Sequence, residues 1–363
     1  MTIWELLGGV SLTGVVQQTP TGIPVVIPPE FLNPTRRNDG PVLVYYVEKN
    51  SAKQAQIIHY DAPPVGADRD GMAVKSAVMI HSSHYHDYGV TDYQNMMSPI
   101  QANRELAEYE INRQTRNLKT RVSNLRVAAT TMALAKGAIY ADAKGNLLPD
   151  STGAVFAIDF QVPAGNKNQL NWDGSGNIIN AKWSDPSTDI PLHIQTLLDV
   201  ALRHSGLPIT TALYGKNIFK YLYNNDFVGK ILLTDSGLAN AFRNNSIPEG
   251  FLGIQKWIRV SGGVFKKADG TWGQIVDDDA CIFTPDPSPL WWDFVEGSYV
   301  VPTNLSTITS EAQEQLSNLS TVYGFYSYAK LRDEPIGVRQ IMGDTFMPML
   351  NNNIAIFQAK VHW

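Results

Sequence analysis

Between Ser98 and Gly137 the chain reads as a single helix, and its length constrains everything else. Ala107, Ile111, Leu118, Val122, Leu125, Ala129 and Met132 recur at three- and four-residue steps, one apolar stripe on a helix of period 3.6. Ser98 is placed as an N-cap and Pro99 at the first helical position, while Gly137 stands where a C-cap glycine belongs. Glu105, Glu108 and Glu110 come early and Arg113, Arg116, Lys119, Arg121 and Arg126 later, an order that complements the helix dipole. At 1.5 Å per residue, residues 99–136 span about 57 Å. A round globule of 363 residues has a diameter of only about 53 Å. With no interior proline or glycine to break it, the helix requires a flat, extended subunit.

Composition points the same way. Hydrophobic residues make up 44% of the chain, enough for a real core, but charged residues only 17%, against roughly 25% in an ordinary soluble domain. The deficit implies that much of the surface faces other protein. A net charge of −5 argues against a dedicated nucleic-acid binder. The single cysteine, Cys281, excludes an intrachain disulfide or a multi-cysteine metal site. The first twenty residues lack the basic region of a secretory signal, and no stretch reaches the ~20 uninterrupted apolar residues of a membrane helix. The expectation is a soluble protein of a reducing compartment.

Around the helix, residues 1–40 are punctuated by Pro20, Pro24, Pro28, Pro29 and Pro34 yet carry Ile23, Val25, Val26, Ile27, Phe31 and Leu32, as an arm lying on another surface would. VLVYYV (42–47) and AQIIHY (55–60) read as strands, DAPPVGADRDG (61–71) as turns, and residues 72–86 as a returning strand. A two-stranded ribbon alone is marginal in water, so this one should lie against a neighbour. Beyond the helix, AIYADAKGNLLP turns around Lys144-Gly145-Asn146, and Phe156, Ile158, Phe160 and Val162 alternate with polar or small residues as in a half-buried strand. A boundary falls near KWSDPSTDIP; Asp189 caps a helix that closes at Gly206, and residues 186–330 read as a separate α+β domain. The last segment, from Ile336, is strand-like and is expected to rejoin the sheet begun at 139–162.

Chemistry-bearing patterns are sparse. His81, His84 and His86 form the densest cluster. On a strand His84 and His86 share a face, so two imidazoles could serve a metal with a third ligand from elsewhere; surface histidines beside Tyr85 and Tyr88 are the favoured reading. Asp277-Asp278-Asp279 lacks the alternating ligands and glycine of a calcium loop and reads as a turn, as does NWDGSGN (171–177). Cys281 reads as a buried small hydrophobe, and Trp291-Trp292 as core on at least one side, a ligand-stacking platform being the alternative. No nucleophile elbow, H-E-x-x-H, phosphate loop or dinucleotide fingerprint is present. No catalytic, cofactor or metal residue is therefore assigned.

The order of arm, ribbon, molecule-long helix, sheet, α+β domain and returning strand resembles the major capsid proteins of tailed phages, in particular the lambda-like capsid protein E family. The likeness is carried by IPVVIPPEFLNPTRR, AQIIHYDAPP…GMAVKSAVMI, LRVAATTMALAKGAIYADAKGNLL, AVFAIDF and LRDEPIGVRQIMGDTFMPMLNNNIAIFQAKV. It implies an α+β Hong Kong phage-type capsid fold with an N-terminal arm (1–30), an extended β-hairpin loop (53–90), a peripheral domain with its β-sheet (31–52, 91–185 and 331–363) holding the spine helix 99–136, and an inserted axial domain (186–330). It further implies a structural, non-enzymatic protein that self-assembles as hexamers and pentamers into the icosahedral head of a tailed double-stranded DNA phage, enclosing the DNA without sequence-specific binding and touching no membrane. Assembly is expected in the host bacterial cytoplasm, with separate scaffolding, portal and decoration proteins as partners. The alternatives are a nanocompartment shell of the same fold packaging protein, a metal-dependent enzyme built on His81, His84 and His86, and a trimeric sugar-binding tail or spike module.

Overall fold

The structure is a computed structural model that describes residues 27–48, 72–96, 98, 100–168, 178–260, 264–266, 272–302, 319–332 and 337–363. The arm up to residue 26, the strand at 55–60, the turns at 61–71 and NWDGSGN (171–177) lie outside the described residues. In chain order the elements are β1 (Arg36–Asn38), β2 (Val42–Glu48), β3 (Met72–Val78), β4 (Ile80–Tyr88), α1 (Val90–Met96), α2 (Gln101–Lys136), β5 (Ala138–Ala141), β6 (Phe156–Asp159) and β7 (Lys167–Asn168). Then come α3 (Ile190–Ser205), β8 (Thr211–Tyr214), α4 (Ile218–Tyr223), α5 (Asp226–Thr234), α6 (Ser236–Arg243), β9 (Lys256–Arg259), β10 (Val264–Lys266) and β11 (Trp272–Gln274). The series ends with β12 (Ala280–Thr284), β13 (Trp292–Pro302), β14 (Leu319–Tyr323), β15 (Tyr326–Arg332), β16 (Gly337–Leu350) and β17 (Phe357–Lys360).

The helix is unbroken. α2 runs for 36 residues, about 54 Å at the standard rise. Gly137 closes it in the left-handed conformation (φ 67°), its N–H returning to the carbonyl of Ala133. A side chain there would also drive into Val162, so glycine is required twice over. The start differs from expectation. Ile100, not Ser98, occupies the cap position, and the Ser98 hydroxyl instead accepts from the Ile100 N–H at 3.2 Å.

β2 and β3 pair antiparallel from Val42↔Val78 to Glu48↔Met72, the base of the anticipated ribbon. The returning strand is not continuous, however. It divides at Met79, a buried residue, and β4 leaves the ribbon to pair with β16 from Ile80↔Phe346 to Tyr88↔Val338. Period-2 alternation persists through the break, which is why the sequence reads as one strand.

β16 is the hub of a six-stranded sheet. Its first half pairs with β4 and β15 and its last residues with β13, which also takes β14 and, in parallel, β1. A second sheet of five strands has the order β7-β17-β12-β8-β9. Among the described residues the expected return of the C-terminal segment to the sheet of 139–162 does not occur: β5 and β6 form a two-stranded sheet, while β16 and β17 join the two larger sheets. Alternation specifies which face of a strand is buried but not its partner. α3 starts as read, with the Asp189 carboxylate accepting from the Leu192 N–H at 3.0 Å, and ends at Gly206 (φ 71°).

Two cores result. One joins the C-terminal half of α2 (Ala128–Leu134) to Phe31, Leu43, Tyr45, Ile139, Trp291, Trp292, Phe294 and Phe346. The other fills the space between α3 and the five-stranded sheet with Trp183, Ile194, Leu197, Trp257, Phe283 and Phe357.

Candidate assembly surfaces

A helix this long needs to be fixed to its sheet, and the sequence supplies the fasteners at matched spacings. On β16, residues 340, 342, 344 and 346 share the face toward α2. On α2, Thr115, Leu118, Val122 and Arg126 share the face toward β16. Gln340 exchanges hydrogen bonds with the Thr115 hydroxyl at 3.0–3.2 Å and accepts from Tyr88 Oη at 2.8 Å; Met342 packs on Leu118. Arg126 donates Nε and Nη2 to the two oxygens of Asp344, each at 2.8 Å, and reaches Glu296 at 3.2 Å. Its guanidinium also lies over the rings of Phe294, Phe325 and Phe346. Burial opposes the charge, but the Asp344 and Glu296 carboxylates outweigh it and hold the guanidinium above its ordinary pKa. Gly324 (φ 68°) makes room, since a side chain there would strike the Glu296 carboxylate. Sequence reading placed Arg126 among dipole-complementing bases; the signal for burial was its position four residues after Val122 and three before Ala129, on the apolar stripe.

The ribbon base has two unlike faces. Leu43 and Tyr45 are buried against the first core, whereas Val42, Val44 and Val78 are 48%, 53% and 55% exposed. Val42 and Val78 are direct cross-strand partners and Val44 faces Ser76, so the three valines form one apolar patch on the outward side. Lys75 Nζ donates to Gln161 Oε1 at 2.7 Å and ties the ribbon to the segment after β6. A second exposed apolar group, Ile100, Leu106 and Tyr109, lies at the start of α2. Isolated apolar side chains on a surface need no explanation, but patterned ones on a two-stranded ribbon do.

The residues with chemical potential take structural roles. His81 lies on the opposite sheet face from His84 and His86, so the three do not converge. His81 sits against Tyr299 and Tyr326, with Nδ1 2.9 Å from Thr345 Oγ1, and burial holds its pKa down. Among the described residues no group of three or more His, Cys, Asp or Glu is placed to hold a metal ion. Alternation along β4 leaves His84 and His86 on one face, as read from the sequence, and His81 on the other. Asp279 accepts from Tyr221 Oη at 2.6 Å and Asn217 Nδ2 at 2.9 Å; burial, and after it the Asp279 carboxylate, push the Tyr221 phenol up to about 12, and Asp277 faces Lys136 at 3.4 Å. Cys281 is buried, and desolvation raises its thiol. Trp291 and Trp292 are both in the core, edge-on to Phe31, and their indole N–H groups donate to the carbonyls of Asp286 and Phe31 at 2.8 and 3.1 Å. They offer no ligand platform. No described helix is long and apolar enough to cross a membrane.

Comparison with known proteins assigns this arrangement. The model of the family described as phage major capsid protein E matches residues 10–306. No curated protein matches the sequence. Among solved structures, a capsid protein assigned to a prophage of Escherichia coli CFT073 aligns at 16% identity over 80% of this chain and 79% of its own, with a TM-score of 0.48. A phage-related protein of Bordetella bronchiseptica RB50 aligns at 7% identity over 98% and 97% (TM-score 0.47), and Gordonia phage Cozz at 12% over 97% and 94% (TM-score 0.44). The extent of the family match decides the matter: the chain belongs to the phage major capsid protein E family. It is a structural protein of the phage shell rather than an enzyme, its fold a mixed α+β arrangement of a long helix and two main sheets, and its place is the virion capsid.

Proposed function

We propose that this chain builds the icosahedral head of a tailed double-stranded DNA phage as hexamers and pentamers, assembled in the host cytoplasm with separate scaffolding and portal proteins. In this reading residues 1–30 are an arm laid on neighbouring copies. The extended loop of residues 53–90 overlaps an adjacent subunit; residues 31–52, 91–185 and 331–363, with α2, form the peripheral part; and residues 186–330 surround the symmetry axes. The observation that carries this reading is the patch of Val42, Val44 and Val78, an apolar face on a ribbon that burial against another copy would complete. Closed symmetry repeats each such contact many times over.

The test is direct. Chain expressed alone and with candidate scaffolds is examined by sedimentation and negative-stain microscopy. Closed shells are the expected product; a lone, rounded subunit under all conditions would overturn the proposal. Particles filled with a protein cargo would transfer it to the nanocompartment reading.

A further inference from the structure

From Ile111 to Lys136 the helix α2 contains six basic residues and no acidic one, in a chain whose net charge is −5. Three of the six are spent within the fold or nearly so. Arg126 is clamped by Asp344 and Glu296, Lys119 is buried with its ammonium near the Phe325 ring, and Lys136 faces Asp277. The other three point outward. Arg113, Arg116 and Arg121 are exposed together with Asn117 and Asn124, a stripe at i, i+3, i+4, i+8 and i+11 from Arg113. Arg113 has a local partner in Glu110 at 2.8 Å. Arg116 and Arg121 have no acidic partner among the described residues. No large hydrophobic side chain is exposed along this part of the helix, so the face lacks the apolar centre that a subunit contact of standard kind would have.

Resting on the reading of the chain as a DNA-enclosing shell, we propose that this face of α2 lines the particle interior and contacts the phosphate backbone of the packaged duplex through Arg116 and Arg121. Arginine forks and asparagine amides donate hydrogen bonds to phosphate oxygens without reading sequence. Two contacts per copy are weak. Between about 50 and 200 mM salt, two phosphate contacts lose only roughly tenfold in affinity, so the duplex is held at many points and released from each easily. The acidic balance of the remaining chain restricts the attraction to this stripe.

The experiment places a diazirine amino acid at Asn117, an exposed position, in full-length chain assembled into DNA-filled particles, which are then irradiated. A protein–DNA adduct is expected, falling about tenfold in particles that also carry Arg116→Glu and Arg121→Glu. A protein–protein adduct in filled particles would make this stripe a subunit contact and overturn the inference, and so would the absence of any adduct. In a second measurement, unassembled full-length chain binds a short duplex with the salt dependence given above, and the double charge reversal abolishes binding; equal binding by both overturns the inference without touching shell formation. If the unaltered chain forms no particles, the shell reading falls and this inference with it.

Discussion

Arg126 shows how one side chain can hold two elements in a fixed relation. Asp344 is fully buried and Glu296 nearly so, so removing the guanidinium leaves two carboxylates without a counter-charge. Arg126→Met is expected to destabilise the unassembled chain by about 3–5 kcal/mol in a denaturant titration, with Arg126→Lys intermediate because it cannot pair bidentately. A loss below about 1 kcal/mol would show that the neighbouring packing, not the ion cluster, holds the helix. His193 makes a second residue-scale prediction. Trp183 Nε1–H donates to its Nδ1 at 3.2 Å and its Nε2 lies 3.0 Å from Asn180 Oδ1, so the buried ring is neutral and carries its proton on Nε2. Burial lowers its pKa. The unfolded chain therefore takes up the proton first: the stability is fully present above the unfolded value of about 6.5 and is lost as pH falls below it. Melting temperature is expected to be level above about pH 7 and to decline below 6.5, with a shallower decline in His193→Gln. An unchanged slope would exclude His193 as a contributor; His81, His84 and His204, also lowered by burial, keep it from vanishing.

At the scale of elements the ribbon is the informative case. β2 was legible from its β-branched and aromatic run, and its two-sidedness follows from alternation. Which side would remain bare was not legible, because Val42 and Val44 look as core-like as Leu43 and Tyr45. The helix was nearly complete in the sequence, since an apolar stripe and a terminal glycine are local signals; its start was misplaced because a serine ahead of a proline imitates a cap. Sheet partners were the main failure. β16 and β17 carry strand character in their own residues, but their pairing with β4, β13 and β12 depends on segments up to about 270 residues away, which no local pattern encodes. The patch makes a prediction at this scale. Val42→Lys with Val78→Lys is expected to leave the chain folded, with an unchanged circular dichroism spectrum and a midpoint shifted by less than about 1 kcal/mol, yet to stop closed shells from forming. Normal shells from the double variant would remove the patch from the assembly scheme.

For the whole molecule, a helix of 36 residues is fastened to a six-stranded sheet through Thr115, Leu118 and Arg126. Family membership identifies this unit as part of a phage shell. The exposed apolar side chains should then be covered in the particle. Assembled shells are expected to resist denaturant beyond the midpoint of dissociated chain, with a transition that rises with protein concentration, as mass action requires of any folded state stabilised by its neighbours. Coincident, concentration-independent transitions for the two forms would contradict this.

The placement of β16 and β17 has a further consequence for timing. Each is an interior member of its sheet, flanked on both sides by strands made earlier, so neither sheet can close until the ribosome has passed residue 360. A truncated or still-growing polypeptide has no finished sheet to offer, and only chains translated through this point can enter the lattice. The topology thus makes the last two strands synthesised a requirement for both finished sheets.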